Sequence, residues 1–157
     1  MKVARALQLC ALAMPRIRDA LELLTAQHEQ IEDLFEQVRQ IADEDALVEL
    51  ADKLTTHIAL EQQLFYPAIC AQLSSDVLSE LLAEHDALKE ILADLVCLDI
   101  RDDDFQPTLA RLGALLAGHS SWQEDELFTA TAEAMSHDEL AALCARFYQF
   151  DAIAIAA

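Results

Sequence analysis

Glycine and proline are scarce in this sequence, at two and three residues among 157. A sheet protein rich in tight turns needs more of both, so the scarcity excludes that class and favours long helices with few turns. Leucine and alanine, both strong helix formers, dominate what is there. Basic residues are also few, 10 against 29 acidic ones, for a formal net charge of -19. A surface this negative repels phosphate backbones and anionic headgroups, so neither nucleic acid nor membrane is an expected partner. The four cysteines (Cys10, Cys70, Cys97 and Cys144) nowhere form a C-x-x-C pair. They lie inside apolar helical patterns and read as small buried hydrophobes in a reducing compartment, not as a disulfide framework. The opening MKVARALQLCALAM has no long apolar run: Arg5 and Gln8 interrupt it, and no A-x-A cleavage site follows. The expectation is a short extra helix over 1–14 and a cytoplasmic location.

A chain of 157 residues suits one domain with a real hydrophobic core. Apolar residues recurring at steps of three and four predict an all-α, antiparallel up-down-up-down four-helix bundle over 15–135. A C-terminal helix over 136–157 is expected to pack on it. The first bundle helix should start near Pro15 and turn Ile17, Leu21, Leu24, His28, Ile31, Phe35 and Val38 inward, ending at Asp43-Glu44-Asp45. The second carries Leu47, Leu50, Leu54, His57, Glu61, Leu64 and Ala68 and fades at Ser74-Ser75-Asp76, with a kink or early end expected at Pro67. The third, capped by Ser75 or Asp76, presents Leu78, Leu81, His85, Leu88, Leu92 and Leu95. After the polar stretch Asp99 to Gln106, the fourth opens around Pro107 with Leu109, Leu112, Leu116 and His119, resuming at Glu124, Leu127 and Thr131. Leu140, Leu143, Phe147 and Phe150 mark the last helix, for which Ser136-His137-Asp138-Glu139 is a start signature.

Each of the four bundle stripes holds one histidine where the pattern asks for leucine or isoleucine. A core imidazole loses its hydration and needs a partner for each ring nitrogen. Singly, each is explained by a hydrogen bond to a carbonyl or carboxylate. Four on four different helices converge on one centre, and shared metal ligation satisfies them together. Glu61 follows His57 by four residues and projects from the same face, where a carboxylate is costly unless paired or metal-bound. Glu124 follows His119 by five, which a regular helix would rotate away. A π-bulge would restore it, so a local irregularity is expected between the two. Glu61-Gln62-Gln63-Leu64-Phe65 and Glu124-Asp125-Glu126-Leu127-Phe128 echo one another, which puts the two glutamates in equivalent places suited to bridging a pair of ions. Two bridging carboxylates would give each ion two nitrogens and two oxygens. A solvent-derived oxo or hydroxo bridge would add a fifth ligand and leave a position open. Nitrogen and oxygen donors without thiolate suit iron, with manganese or zinc admitted by ligand type.

The order of a lone histidine, H-x-x-x-E, another histidine and H-x-x-x-x-E resembles the hemerythrin-like (HHE cation-binding) family over Ile17 to Met135. THIALEQQLFYP and GHSSWQEDELF resemble its two histidine-plus-carboxylate segments. The resemblance implies metal ligation by His28, His57, Glu61, His85, His119 and Glu124, and two iron ions with an oxo or hydroxo bridge. Oxygen-carrying members have a further histidine where this chain has Lys89, which argues against reversible oxygen transport. The set of four histidines and two glutamates is similar to that of bacterial proteins implicated in repairing iron centres under nitrosative or oxidative stress.

The implied function is a non-haem di-iron protein that binds, senses or handles oxygen, nitric oxide, peroxide or labile iron. A di-iron redox enzyme and a metal-free interaction bundle are the rivals. Ferritin-like enzymes use Glu-x-x-His, which none of the four core histidines offers. A small diatomic ligand or peroxide is the expected partner, and a homodimer is a further candidate. Lys89 is expected to snorkel outward, Glu32 and Glu90 to be surface charges, His137 to lie near a cap, and Trp122, Phe65 and Phe128 to line the core or a pocket wall.

Overall fold

The computed structural model of the chain describes residues 17–156, with side chains through Asp151. The helix expected over 1–14, Cys10 and the start near Pro15 lie outside the described residues. Every element among the described residues is helical. Helix α1 (Ala20–Ile41) begins where the Asp19 carboxylate accepts from the backbone N–H groups of Leu21 and Glu22. These are two of the donors that a helix start leaves without intrahelical partners. Ala42 closes α1 in the left-handed conformation, at φ 47°. Asp43 then caps the next helix at once, accepting from Asp45 and Ala46. The acidic turn that marks the end of α1 in the sequence is thus mostly the first turn of α2, where carboxylates complement the helix dipole.

Helix α2 runs as α-helix over Glu44–Leu60, as a π-helical turn over Glu61–Phe65, and again as α-helix over Tyr66–Ile69. The sequence had suggested no irregularity before Pro67. The wider turn lets Pro67 occupy the first turn of a renewed α segment, where a missing N–H costs nothing. The helix then ends at Ile69, short of the serines. Helix α3 (Ser75–Cys97) is capped by Ser74, one residue earlier than expected. Helix α4 comprises Phe105–Trp122, a second π-helical turn over Gln123–Leu127, and Phe128–Ala134. Helix α5 (His137–Ala156) opens on a reciprocal cap: Ser136 N–H and Oγ both donate to Glu139 Oε2, and Glu139 N–H donates back to Ser136 Oγ.

The core divides into two apolar clusters with a polar belt between them. One holds Ile31, Leu54, Ile58, Leu88, Leu95, Phe105, Leu112 and Leu116, and the other Leu24, Leu60, Phe65, Leu81, Leu127, Phe128 and Phe147. Along α1 the chain passes from the second cluster (Leu24) through His28 to the first (Ile31), and α3 does the same through Leu81, His85 and Leu88. Helices α2 and α4 make the passage in reverse, through Leu54, His57 and Phe65, and through Leu116, His119 and Leu127. Opposite travel by alternate helices is the up-down-up-down bundle. Helix α5 buries Leu140, Leu143, Cys144 and Phe147, the last three within the second cluster, so that end of the bundle is covered.

The readings of the cysteines and of Trp122 need correction. Cys70 and Cys97 are exposed, since one follows the end of α2 and the other is the last residue of α3; only Cys144 of the described three is buried. Trp122 is 39% exposed because Gln123, its neighbour, takes the inward place on α4. Lys89 points outward as expected, its Nζ 2.7 Å from Asp86 Oδ1.

Ala42 holds a backbone conformation that glycine adopts without a Cβ penalty. Ala42→Gly is expected to stabilise the fold by about 0.5–1 kcal/mol, read as a higher urea midpoint at unchanged slope. An unchanged or lower midpoint would show that the turn is not strained.

Candidate metal centre

The belt between the clusters is built from His28 on α1, His57 and Glu61 on α2, His85 on α3, and His119 and Gln123 on α4, none more than 6% exposed. Two groups of donor atoms form within it. His28, His57 and Glu61 make one, and Glu61, His85 and His119 the other; within each group the donor atoms lie within 4.8 Å of one another. Glu61 belongs to both. Its Oε1 stands 3.5 Å from His57 Nε2, and its Oε2 stands 3.0 Å from His85 Nε2 and 3.6 Å from His119 Nε2.

Hydrogen bonds from outside the belt set the histidine tautomers. His28 Nδ1 lies 2.7 Å from Glu124 Oε1, His57 Nδ1 2.9 Å from Gln27 Oε1, and His119 Nδ1 2.9 Å from Glu84 Oε2. Carboxylate and amide oxygens accept only, so each Nδ1 carries the proton and donates it. Each Nε2 is thereby left with a lone pair. The Nε2 atoms of His28, His57 and His119, and Oε1 of Glu61, are buried and have no hydrogen-bond partner among the described residues. Orphaned acceptors of this kind are costly in a folded core, and a bound cation satisfies all of them together. The donor set fits a metal pair on that test. His85 is oriented differently: its Nε2 approaches Glu61 Oε2 and, at 3.2 Å, the Tyr66 hydroxyl, while its Nδ1 has no partner.

The charges agree with this arrangement. Burial pushes the His57 imidazole down to about 4, helped by the three neighbouring histidines and opposed by Glu61. Burial also acts to raise Glu61, yet His57, His119 and His85 around it hold its carboxyl well below the usual range. At His119 burial is outweighed by Glu61 and Glu84, which raise it. The Tyr66 hydroxyl is raised by burial and by Glu61, and stays protonated as a donor.

The structure brings together five of the six residues singled out in the sequence. The sixth, Glu124, stands outside both groups, with its side chain 37% exposed and on the outer nitrogen of His28. The expected irregularity of α4 is present, but its π turn begins only at Gln123, so the regular helix before it keeps that residue, four positions after His119, on the inward face, as Glu61 is four after His57. Gln27 and Glu84 went unnoticed in the sequence. Each immediately precedes a core histidine and reaches the histidine of a neighbouring helix. A polar residue one place before an inward histidine is the signal that could have found them. Glu32 and Glu90 are exposed.

The Hemerythrin HHE cation binding domain family matches residues 19–131. The chain belongs to that family. A crystal structure of a hemerythrin HHE cation binding domain-containing protein from Mycobacterium kansasii shares the fold, with a TM-score of 0.73 and 22% identity over 85% of this chain and 88% of the other. No curated protein matches the chain. No helix among the described residues is long and apolar enough to cross a membrane.

His57 remains neutral in the folded, metal-free protein down to about pH 4, while an unfolded chain protonates it near its ordinary value of 6.5. Because the unfolded state binds the extra proton, the metal-free fold loses stability as pH falls from 6.5 to about 4. The loss from this group is about 3 kcal/mol at most. His119, raised on folding, contributes in the opposite sense: its stability is full at low pH and is lost as pH rises through its folded value. Urea unfolding of the metal-free protein and of His57→Leu across this window checks the assignment. The variant should lack most of the acid loss, and an identical pH profile would refute it.

Proposed function

We propose that this cation-binding domain holds a non-haem pair of iron ions and binds or senses oxygen, nitric oxide or peroxide there. His28 and His57 would hold one ion, His85 and His119 the other, and Glu61 would bridge them. The carrying observation is that one buried carboxylate is shared by two histidine pairs, and that the inner nitrogens of His28, His57 and His119 have no hydrogen-bond partner among the described residues. Glu84 and Gln27 orient the rings from outside, and Glu124, which the family resemblance made a ligand, serves His28 in the same way. Four imidazoles with carboxylate oxygen and no thiolate suit iron, with manganese or zinc admitted by ligand type. Bound iron would supply one-electron exchange and an attachment point for a small ligand.

Two features of the chain support a small ligand. A cavity of about 10 Å³ lies beside His28, His57 and His119 and is otherwise walled mainly by Ile31, Leu54, Ile58, Leu88 and Leu116. That is the size of about one water molecule, and its walls are mostly apolar. A groove of about 620 Å³ between α1 and α4 reaches His28 past Glu29, Glu32, Glu36, Glu124 and Asp125. Its charge concentrates cations near the centre and repels anionic substrates. A cytoplasmic, reducing setting agrees with the exposed thiols of Cys70 and Cys97.

Protein supplied with iron and purified in air should carry about two iron ions per chain, by metal analysis, and show near-ultraviolet charge-transfer absorption. At metal concentrations near a thousandfold above Kd, binding should raise Tm by about 10 °C. His57→Leu should lose most of the iron and that increment, while its metal-free form is as stable as the parent or more so, since a buried polar ring is replaced by an apolar side chain. Iron-free protein after iron supplementation would sink the reading.

A further inference from the structure

The two helices that carry a histidine followed by a π turn are built alike, and they differ at one buried position. On α2 the π turn starts at Glu61, and Tyr66 N–H donates to Glu61 O. On α4 it starts at Gln123, and Phe128 N–H donates to Gln123 O. Glu61 and Gln123 are both fully buried. Gln123 therefore occupies on α4 the place that the bridging carboxylate occupies on α2, and it puts a neutral amide there. Gln123 Nε2 donates at 3.0 Å to Glu61 Oε2 and at 3.0 Å to the Tyr66 oxygen, while the Tyr66 hydroxyl donates at 3.0 Å to the same Glu61 oxygen. The amide orientation follows from chemistry, since its nitrogen faces an oxygen that can only accept.

Two consequences bear on any ion held here. First, the two donor groups contain one carboxylate between them, with four imidazoles that bind as neutral ligands. The compensating charge inside the belt is a single negative unit. Second, two donors besides His85 converge on Glu61 Oε2 and draw electron density from the one anionic ligand. In a dry core, charge beside an ion acts at close range and little screened. Both effects disfavour the more highly charged state of the ions, the missing second carboxylate, a whole unit of charge, far more than the hydrogen bonds. We infer that Gln123 is a specificity-determining residue of the centre: it keeps the centre to one core carboxylate and so favours divalent over trivalent ions, holding an iron pair toward the ferrous state. This rests on the reading of the belt as an iron-binding centre.

The test compares the parent with Gln123→Glu and Gln123→Met, each loaded anaerobically with ferrous iron, counted for metal, and titrated spectroelectrochemically. Gln123→Glu should keep two irons and show a ferric-to-ferrous ratio at least tenfold above the parent at any fixed potential. For one electron that is a midpoint at least about 59 mV lower. Gln123→Met, neutral and unable to donate, should stay within threefold of the parent. A Gln123→Glu ratio within threefold of the parent overturns the inference. So does a Gln123→Met ratio shifted tenfold, because it assigns the effect to lost hydrogen bonds and not to charge. Where Gln123→Glu does not fold, Gln123→Asp, which adds the same charge on a shorter side chain, is judged by the same thresholds. Absence of iron from the parent would instead refute the iron reading itself, so the two failures are distinguishable.

Discussion

A single carboxylate with no solvent contact organises the middle of this bundle. Glu61 is fully buried, and among the described residues no lysine or arginine pairs with its negative charge. Its environment consists of imidazoles, a phenol and an amide. Burying an ionised group in this way is unfavourable unless its surroundings are organised to receive it. Here His57, His85 and His119 approach its two oxygens, while Tyr66 and Gln123 donate to one of them. The other oxygen and the Nε2 atoms of His28, His57 and His119 are left without hydrogen bonds among the described residues. The same arrangement that makes the fold tolerate the charge leaves a set of lone pairs for a cation.

The belt can be polar because the bundle on either side of it is not. Each helix enters from one apolar cluster and leaves into the other, so the polar residues occupy about one turn per helix between well-packed ends. A fully buried leucine contributes about 1.5–3 kcal/mol relative to exposure, and the clusters hold many of them. That surplus makes a belt of incompletely satisfied polar groups compatible with a stable fold. Helix α5 strengthens one side, since Leu143, Cys144 and Phe147 join the cluster next to the π turns.

The four histidines and Glu61 were legible in the sequence because each interrupts a hydrophobic stripe whose period is fixed by helix geometry. The helix order and the bundle were legible for the same reason. The choice between Gln123 and Glu124 was not. Both are polar, and which one faces inward depends on where a π turn begins, a backbone choice made by packing and not by residue type. The echo between the two glutamate segments aligned Glu61 with Glu124 by their distance to a phenylalanine, whereas the backbone aligns Glu61 with Gln123 by distance to the histidine. The acceptors Gln27 and Glu84 were hidden because they lie on helix flanks, where a polar residue means nothing until the neighbouring helix is known. The exposed thiols of Cys70 and Cys97 were misread because helix ends shorten the stripe on which each sits.

Those flanking acceptors tie the helices to one another in sequence around the bundle. Helix α1 steadies a ring on α2 through Gln27, α3 steadies one on α4 through Glu84, and α4 returns to α1 through Glu124. Among the described residues no such outer acceptor joins α2 to α3, where the outer nitrogen of His85 has no partner and α2 meets the ring from inside through Tyr66 and Glu61. The orientation of the buried rings is therefore a property of neighbouring helices jointly. If α4 loosens at its π turn, its own residues are not the only ones affected: the His28 ring on α1 loses the carboxylate that fixes it.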